Sequence, residues 1–314
     1  MSFTRRVFVS MPAEPHLSDE QNAFKWAVVK RLEQAGLFPE IFFNPHSTEG
    51  LAASTTWTAE RVDFVLRNCV GAVLIGLPRW TLEQKGSNVL MASEIHQYEG
   101  ALARTLGLPL LTLVQEDVSK RGVFDTSFGT FIAVFPGDHS ALAWLDSSIF
   151  AIALNKWKAR IDDRRDIFIG YCSSSESLAE RIKSFVTDAG ASVLDWRTDF
   201  SLGRSVLDEI SEASRRCSAG IFLFTRDDAL SEGAVSVDKA IPRDNVVFEA
   251  GYFMSLKGPK RVLIVRESGA KMPADLGGQI YATVPDKSDI SPIKSDLARF
   301  ITQLSSPRFP HEGY

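Results

Sequence analysis

The chain has 314 residues, 45% of them hydrophobic and 24% charged, which is room for about two globular domains. A net charge of −4 with no basic run excludes nucleic-acid binding through phosphate neutralisation. The apolar runs, such as Leu108 to Leu113 and Ala219 to Phe224, fall far short of the ~18 residues of a membrane span. The opening MSFTRRVFVSMPAEP has no secretory h-region. Cys69, Cys172 and Cys217 form neither a disulfide framework nor a metal-ligand spacing. The sequence therefore predicts a reduced, cytoplasmic protein with no metal centre and no membrane contact.

In chain order, Val7 to Val9 reads as a strand. Phe24, Val28, Leu32 and Ala35 mark a helix that stops at Ala35-Gly36. Ile41 to Phe43 is predicted as a strand, Glu60 to Asn68 as a helix, and Val70 to Leu77 as a central strand covered on both faces. A helix over Met91 to Leu106 and a strand over Leu110 to Val114 follow. Glu94 and His96 on that helix are expected to be solvated.

Leu154 to Asp166 (LNKWKARIDDRRD) turns from apolar to charged, and the join is expected there, between domains at 1–155 and 164–314. The rhythm then restarts. Asp166 to Gly170 is a strand; Leu178, Ile182, Phe185 and Ala189 mark a helix closed by Ala189-Gly190. Ser192 to Trp196 is a strand, Ser205 opens a helix with Leu207, Ile210, Ser214 and Cys217 on one face, and Ala219 to Thr225 is the central strand. Asp244 to Leu256 is a helix and Arg261 to Val265 a strand. Alternating strand and helix means a parallel sheet with right-handed crossovers. The class is α/β, two tandem flavodoxin-like domains, each a parallel sheet flanked by helices. Ala35-Gly36 echoes Ala189-Gly190, Arg67-Asn68-Cys69 echoes Arg215-Arg216-Cys217, and Tyr98-Glu99-Gly100 echoes Phe248-Glu249-Ala250. Duplication and a rhythm shared by any two such domains both fit.

In PRDNVVFEAGYFMSL, Asp244 reads as the N-cap. From Val246 to Leu256, Glu249 is the one carboxylate, with Val246, Tyr252 and Phe253 as its helical neighbours and no cation among them. An unpaired buried carboxylate costs several kcal/mol, so Glu249 is either rescued by donors from elsewhere in the fold or kept for chemistry. Ligands in such sheets lie beyond the carboxyl ends of the strands. The rim is then Gly170 to Ser175, Trp196 to Phe200 and Thr225 to Asp228. The Ser-rich turn offers a phosphate or ribose seat or simply caps a helix. Tyr171 and Trp196 can sandwich a flat ring, and Trp196 equally fits the core. The polar stretch from Ser231 to Ala240 has the length of a lid.

The ordered motifs IFIGYCSSSES, SVLDW, AGIFLFTRDD, PRDNVVFEAGYF and RVLIVRE followed by MPADLGGQIYATV resemble the TIR domains of bacterial antiphage systems. The resemblance spans roughly 166–304 and is to the class fused to STING or cyclic-nucleotide-binding domains. It implies NAD⁺ glycohydrolase activity with Glu249 catalytic, and NAD⁺ as substrate rather than cofactor. Trp196 and the following loop match the family's BB-loop region, which helps form the nucleotide pocket on assembly. In NAD⁺ the leaving nicotinamide is cationic and departs neutral, so no general acid is needed and one carboxylate near the ribose suffices. On this reading Tyr171 or Trp196 stacks on a base, Ser173 and Arg243 contact ribose or phosphate, and Asp244 lines the same pocket.

The stretch Glu99 to Pro109, EGALARTLGLP, resembles more loosely the E-x-G-x-A-x-A-x-G-K-P stretch of nucleoside 2-deoxyribosyltransferases, with Leu108 in place of the lysine. Glu99 then marks a second pocket, and the first domain is a sensor for a nucleotide second messenger or a scaffold for self-association. Three functions remain in view: an antiphage NAD⁺ glycohydrolase switched on by ligand-driven assembly, a non-catalytic nucleotide-binding signalling protein, and a nucleoside N-glycosidase or transferase working through Glu99.

Overall fold

The computed structural model describes residues 3–306 apart from 48, 53–55, 85, 129–130, 201–202, 204, 230–239, 274–275 and 277–280. The chain divides into two compact units, one over Thr4–Arg164 and one beginning at Arg165. Of the predicted lid, Ser231 to Ala240, residues 231–239 lie outside the described residues and Ala240 begins a short strand.

The first unit runs β1 (Arg6–Ser10), α1 (Asp19–Gln34), β2 (Phe38–Glu40), α2 (Ala59–Arg67), β3 (Gly71–Gly76), β4 (Trp80–Gln84), β5 (Ser87–Met91), α3 (Glu94–Thr105), β6 (Leu110–Gln115), β7 (Phe131–Phe135), α4 (Ala141–Trp144) and α5 (Ser148–Asp162). Its sheet has the order β2-β1-β3-β6-β7 and every pair is parallel. The period-2 alternation of a strand sorts the core into two faces. Val7, Val9, Val73 and Ile75 pack with Phe24 and Val28 of α1 and with Trp157 and Ile161 of α5. Phe8, Ala72 and Leu74 pack with Val62 and Leu66 of α2 and Ala103 of α3.

The second unit repeats the plan with β8 (Arg165–Gly170), α6 (Glu176–Asp188), β9 (Val193–Asp195), α7 (Trp196–Asp199), α8 (Val206–Arg216), β10 (Cys217–Phe224), β11 (Asp228–Ala229), β12 (Ala240–Ile241), α9 (Asp244–Lys257), β13 (Val262–Glu267), β14 (Ala282–Val284) and α10 (Lys294–Ser305). The order β14-β13-β10-β8-β9 is the same topology read from the other edge, again all parallel. Ile167, Ile169 and Tyr171 face α6 and α10. Phe168, Phe222 and Phe224 face α8 and α9.

Four local expectations are corrected. The strand expected at Ile41 to Phe43 lies at Phe38–Glu40, because buried Glu40 accepts the backbone N–H groups of Leu51 and Ala52 at 2.6 and 3.0 Å and Phe43 turns to φ 56°. Met91 closes the β4–β5 hairpin, and α3 starts later, after Ser93, whose side chain accepts from the Ile95 N–H. Trp196 leaves its strand and opens α7, since the Asp195 side chain caps that turn through the Arg197 N–H. On α3, Glu94 is exposed but His96 is fully buried, and burial pushes its pKa down to about 4.

Candidate active site

The site of the second unit is built where β8 ends beneath α9. Arg243, with no side-chain cap, is the N-cap of α9, and Asp244 is its first helical residue, a correction to the predicted cap. The turns that follow carry Val246, Glu249, Ala250 and Phe253 into the sheet. Phe253 lies against Phe168 and Phe222 with ring centroids 5.1 and 5.3 Å away. Glu249 therefore lies on the buried face, 8% exposed, above the last residue of β8. That residue is Gly170, and a Cβ there would fall 2.7 Å from Glu249 Oε2 and 2.6 Å from the Phe222 ring. The glycine leaves the room that the carboxyl occupies. Among the described residues no hydrogen bond or ion pair reaches Glu249. Burial alone pushes its pKa up to about 8. The strand end, the aromatic wall and the unpartnered acid make a dry site for a positive charge.

Ser173, exposed, opens the turn Ser173–Ser175 directly after β8. Arg243 and Asp244 are exposed at the start of the Glu249 helix. All three share the carboxyl edge of the sheet with Glu249. Tyr171 is not brought to it: one residue beyond Gly170, it points to the opposite face. Its hydroxyl donates to Asp195 at 3.0 Å, and Lys183 Nζ donates to the same carboxylate at 2.6 Å. Burial and the Asp195 charge hold the Tyr171 phenol above its ordinary pKa. Trp196 is half-buried against the cores of both faces, its ring 5.8 Å from Tyr171, and its Nε1 has no partner among the described residues.

The first unit sets Glu99 at the equivalent place, on α3 above Ser10, the last residue of β1. Here the acid is satisfied: Ser10 Oγ donates to Oε2 and Trp57 Nε1 to Oε1 at 2.8 Å. Glu99 is 4% exposed; burial raises its pKa to about 7 against the opposing pull of the two donors. Sequence reasoning missed three features of the second-unit site. The spacing function of Gly170 was signalled only by a glycine at a strand end. Asp227 stands on the predicted rim with nothing in the sequence to name its partner, and Lys287, beyond β14, carries no sequence signal. Among the described residues no group of three or more His, Cys, Asp or Glu is arranged to hold a metal, and no helix is long and apolar enough to cross a membrane.

The sheet that carries this buried acid lies in the segment similar to TIR domains: residues 166–286 match the family model described as the CAP12/Pycsar effector protein TIR domain. The chain is 32% identical over 115 residues to CD-NTase-associated protein 12 of Sphingobacterium faecium, covering 37% of this chain and 35% of that one. It is 36% identical over 124 residues to the protein of the same name from Flavobacterium daejeonense, covering 38% and 39%. It is 31% identical over 156 residues to the Pycsar effector protein BcPycTIR of Burkholderia cepacia, covering 46% and 50%. The chain thus spans about a third to a half of the length of these relatives.

Proposed function

We propose that the second unit is an NAD⁺ glycohydrolase of antiphage defence with Glu249 as its catalytic residue. The observation that carries the reading is the Glu249 carboxyl, buried beside Phe222, without a partner among the described residues, and held over Gly170 at the carboxyl end of β8. The bond from ribose C1′ to the pyridinium nitrogen breaks, and its electron pair leaves with nicotinamide, which becomes neutral. The ribose is left as an oxocarbenium ion, which the Glu249 carboxylate stabilises at close range in a low-dielectric surround. Water adds at C1′ and gives up a proton to yield ADP-ribose; attack by a ring nitrogen of the adenine instead gives a cyclic isomer. The cationic pyridinium itself favours the ionised acid, so substrate binding draws the Glu249 pKa down from about 8.

On this reading the half-buried Trp196 ring, its indole N–H without a partner among the described residues, stacks on a base, and Ser173 and Arg243 contact ribose or phosphate. Tyr171, tied to Asp195 under the sheet, takes no part. The relatives' names, CD-NTase-associated protein and Pycsar effector, support a nucleotide second messenger as trigger, and on this reading the activated state is a self-associated one. The trigger must then favour the assembled state over the free one. Nicotinamide release from NAD⁺, followed with a panel of cyclic nucleotides present, tests the reading. Glu249→Gln is expected to lower the rate by at least about 100-fold. Full activity in that variant, or no release under any condition, refutes it.

A further inference from the structure

The carboxyl edge of the second unit holds a second buried carboxylate that the proposed chemistry does not use. Asp227 lies three residues beyond β10, its side chain fully buried. Its Oδ1 accepts from Thr225 Oγ1 and from Ser174 Oγ, each at 2.8 Å, and lies 3.4 Å from Lys287 Nζ. Its Oδ2 accepts the backbone N–H of Arg243 at 3.3 Å. Lys287 in turn donates to Ser174 Oγ at 3.0 Å. One carboxylate thereby ties together the turn after β8, the loop after β14 and the N-terminus of the Glu249 helix. Lys287 and the positive end of that helix offset the cost of burying the charge.

The first unit shows what changes when this tie is absent. Three residues beyond β3 stands Arg79, whose backbone N–H bonds the Met91 carbonyl just as that of Asp227 bonds Ile241. The backbone register is shared and the carboxylate is not. In that unit the glutamate is held directly, by Ser10 and Trp57. Glu249 has no such partner among the described residues, so its placement over Gly170 follows where its helix sits.

We propose that Asp227 is a positioning residue for Glu249: it anchors the N-terminus of α9 so that the acid stays aligned over the strand end without a direct hydrogen bond. The inference rests on the hydrolase reading for its catalytic consequence, since a small misplacement of a reacting group costs rate more than binding.

The test uses the full chain with Asp227→Asn and Asp227→Ala. Hydrogen exchange in peptides covering 243–257 is expected to rise about tenfold in Asp227→Asn while α3 and α6 keep wild-type protection. Unchanged exchange in α9 overturns the proposal, whether or not the protein consumes NAD⁺. In nicotinamide release, kcat is expected to fall about tenfold with KM within about twofold. A loss matching only the loss of folded protein, or confined to KM, also overturns it. Glu249→Gln is measured alongside: an inactive wild type, or an active Glu249→Gln, refutes the hydrolase reading while the exchange result still decides Asp227. Should Asp227→Ala fail to fold, the nearly isosteric Asn variant carries both readouts.

Discussion

Two glutamates occupy the same place in two copies of one fold, and the residue beneath each sets its state. Ser10 gives Glu99 a donor; Gly170 gives Glu249 space. Glu249→Gln removes an acid whose folded pKa, about 8, lies above its unfolded value. Such a group stabilises fully below its unfolded pKa and loses that contribution as pH rises through about 8. Thermal melts should therefore show Glu249→Gln gaining stability over wild type, more at pH 8.5 than at pH 5, as the active-site charge is no longer stranded. Gly170→Ser is expected to lower nicotinamide release and to destabilise by about 1–3 kcal/mol, because its Cβ must displace the Phe222 ring or the acid. Glu99→Gln keeps an acceptor for Trp57 and is expected to leave NAD⁺ turnover within about twofold, measured in the same assay. At this scale Glu249 was legible as one carboxylate in an apolar run. Tyr171 was not, because a rim position does not say which face its side chain takes.

The strands and helices that could be read ahead of the structure are those with a full amphipathic or apolar pattern. Central strands β3 and β10 are buried almost throughout, and their sequences are correspondingly unbroken. The β4–β5 hairpin is not legible because its strands are five residues each and β4 is exposed along its whole length, so the short Trp80-Thr81-Leu82-Glu83 alternation marks no buried face. Strand β2 was misplaced by three residues because its position answers to Glu40 and the N–H groups it collects from Leu51 and Ala52. Helix α9 is held by the Phe168–Phe222–Phe253 cluster. Phe253→Ala is expected to cost about 3–5 kcal/mol in denaturant unfolding and, in the same variant, to lower nicotinamide release.

Across the whole chain, buried ionisable groups predict different pH responses in the two units. In the first, Glu99 loses stability as pH rises through about 7, whereas buried His96, held down to about 4, loses stability as pH falls below its ordinary range. These slopes are similar in size and opposite in sign between about pH 4.5 and 6.5, so they offset. In the second unit Glu249 acts without such a counterweight from a buried histidine among the described residues. Unit-resolved exchange or melting from pH 5 to 8 should show the second unit weakening with pH more steeply than the first below pH 6.5. Equal slopes would count against the buried, unpartnered state of Glu249.

Pattern along the chain was enough for the repeated α/β plan, the central strands and the isolation of Glu249 from any helical neighbour of opposite charge, since these follow from local periodicity and spacing. Only the folded arrangement could show that Gly170 clears the space for that acid, that Tyr171 turns to the other face, and that Asp227 joins Ser174, Lys287 and Arg243. Those contacts bring together residues far apart in the chain, Gly170 with Glu249 and Asp227 with Lys287 among them, and nothing in a linear pattern states which distant donor will meet which buried oxygen.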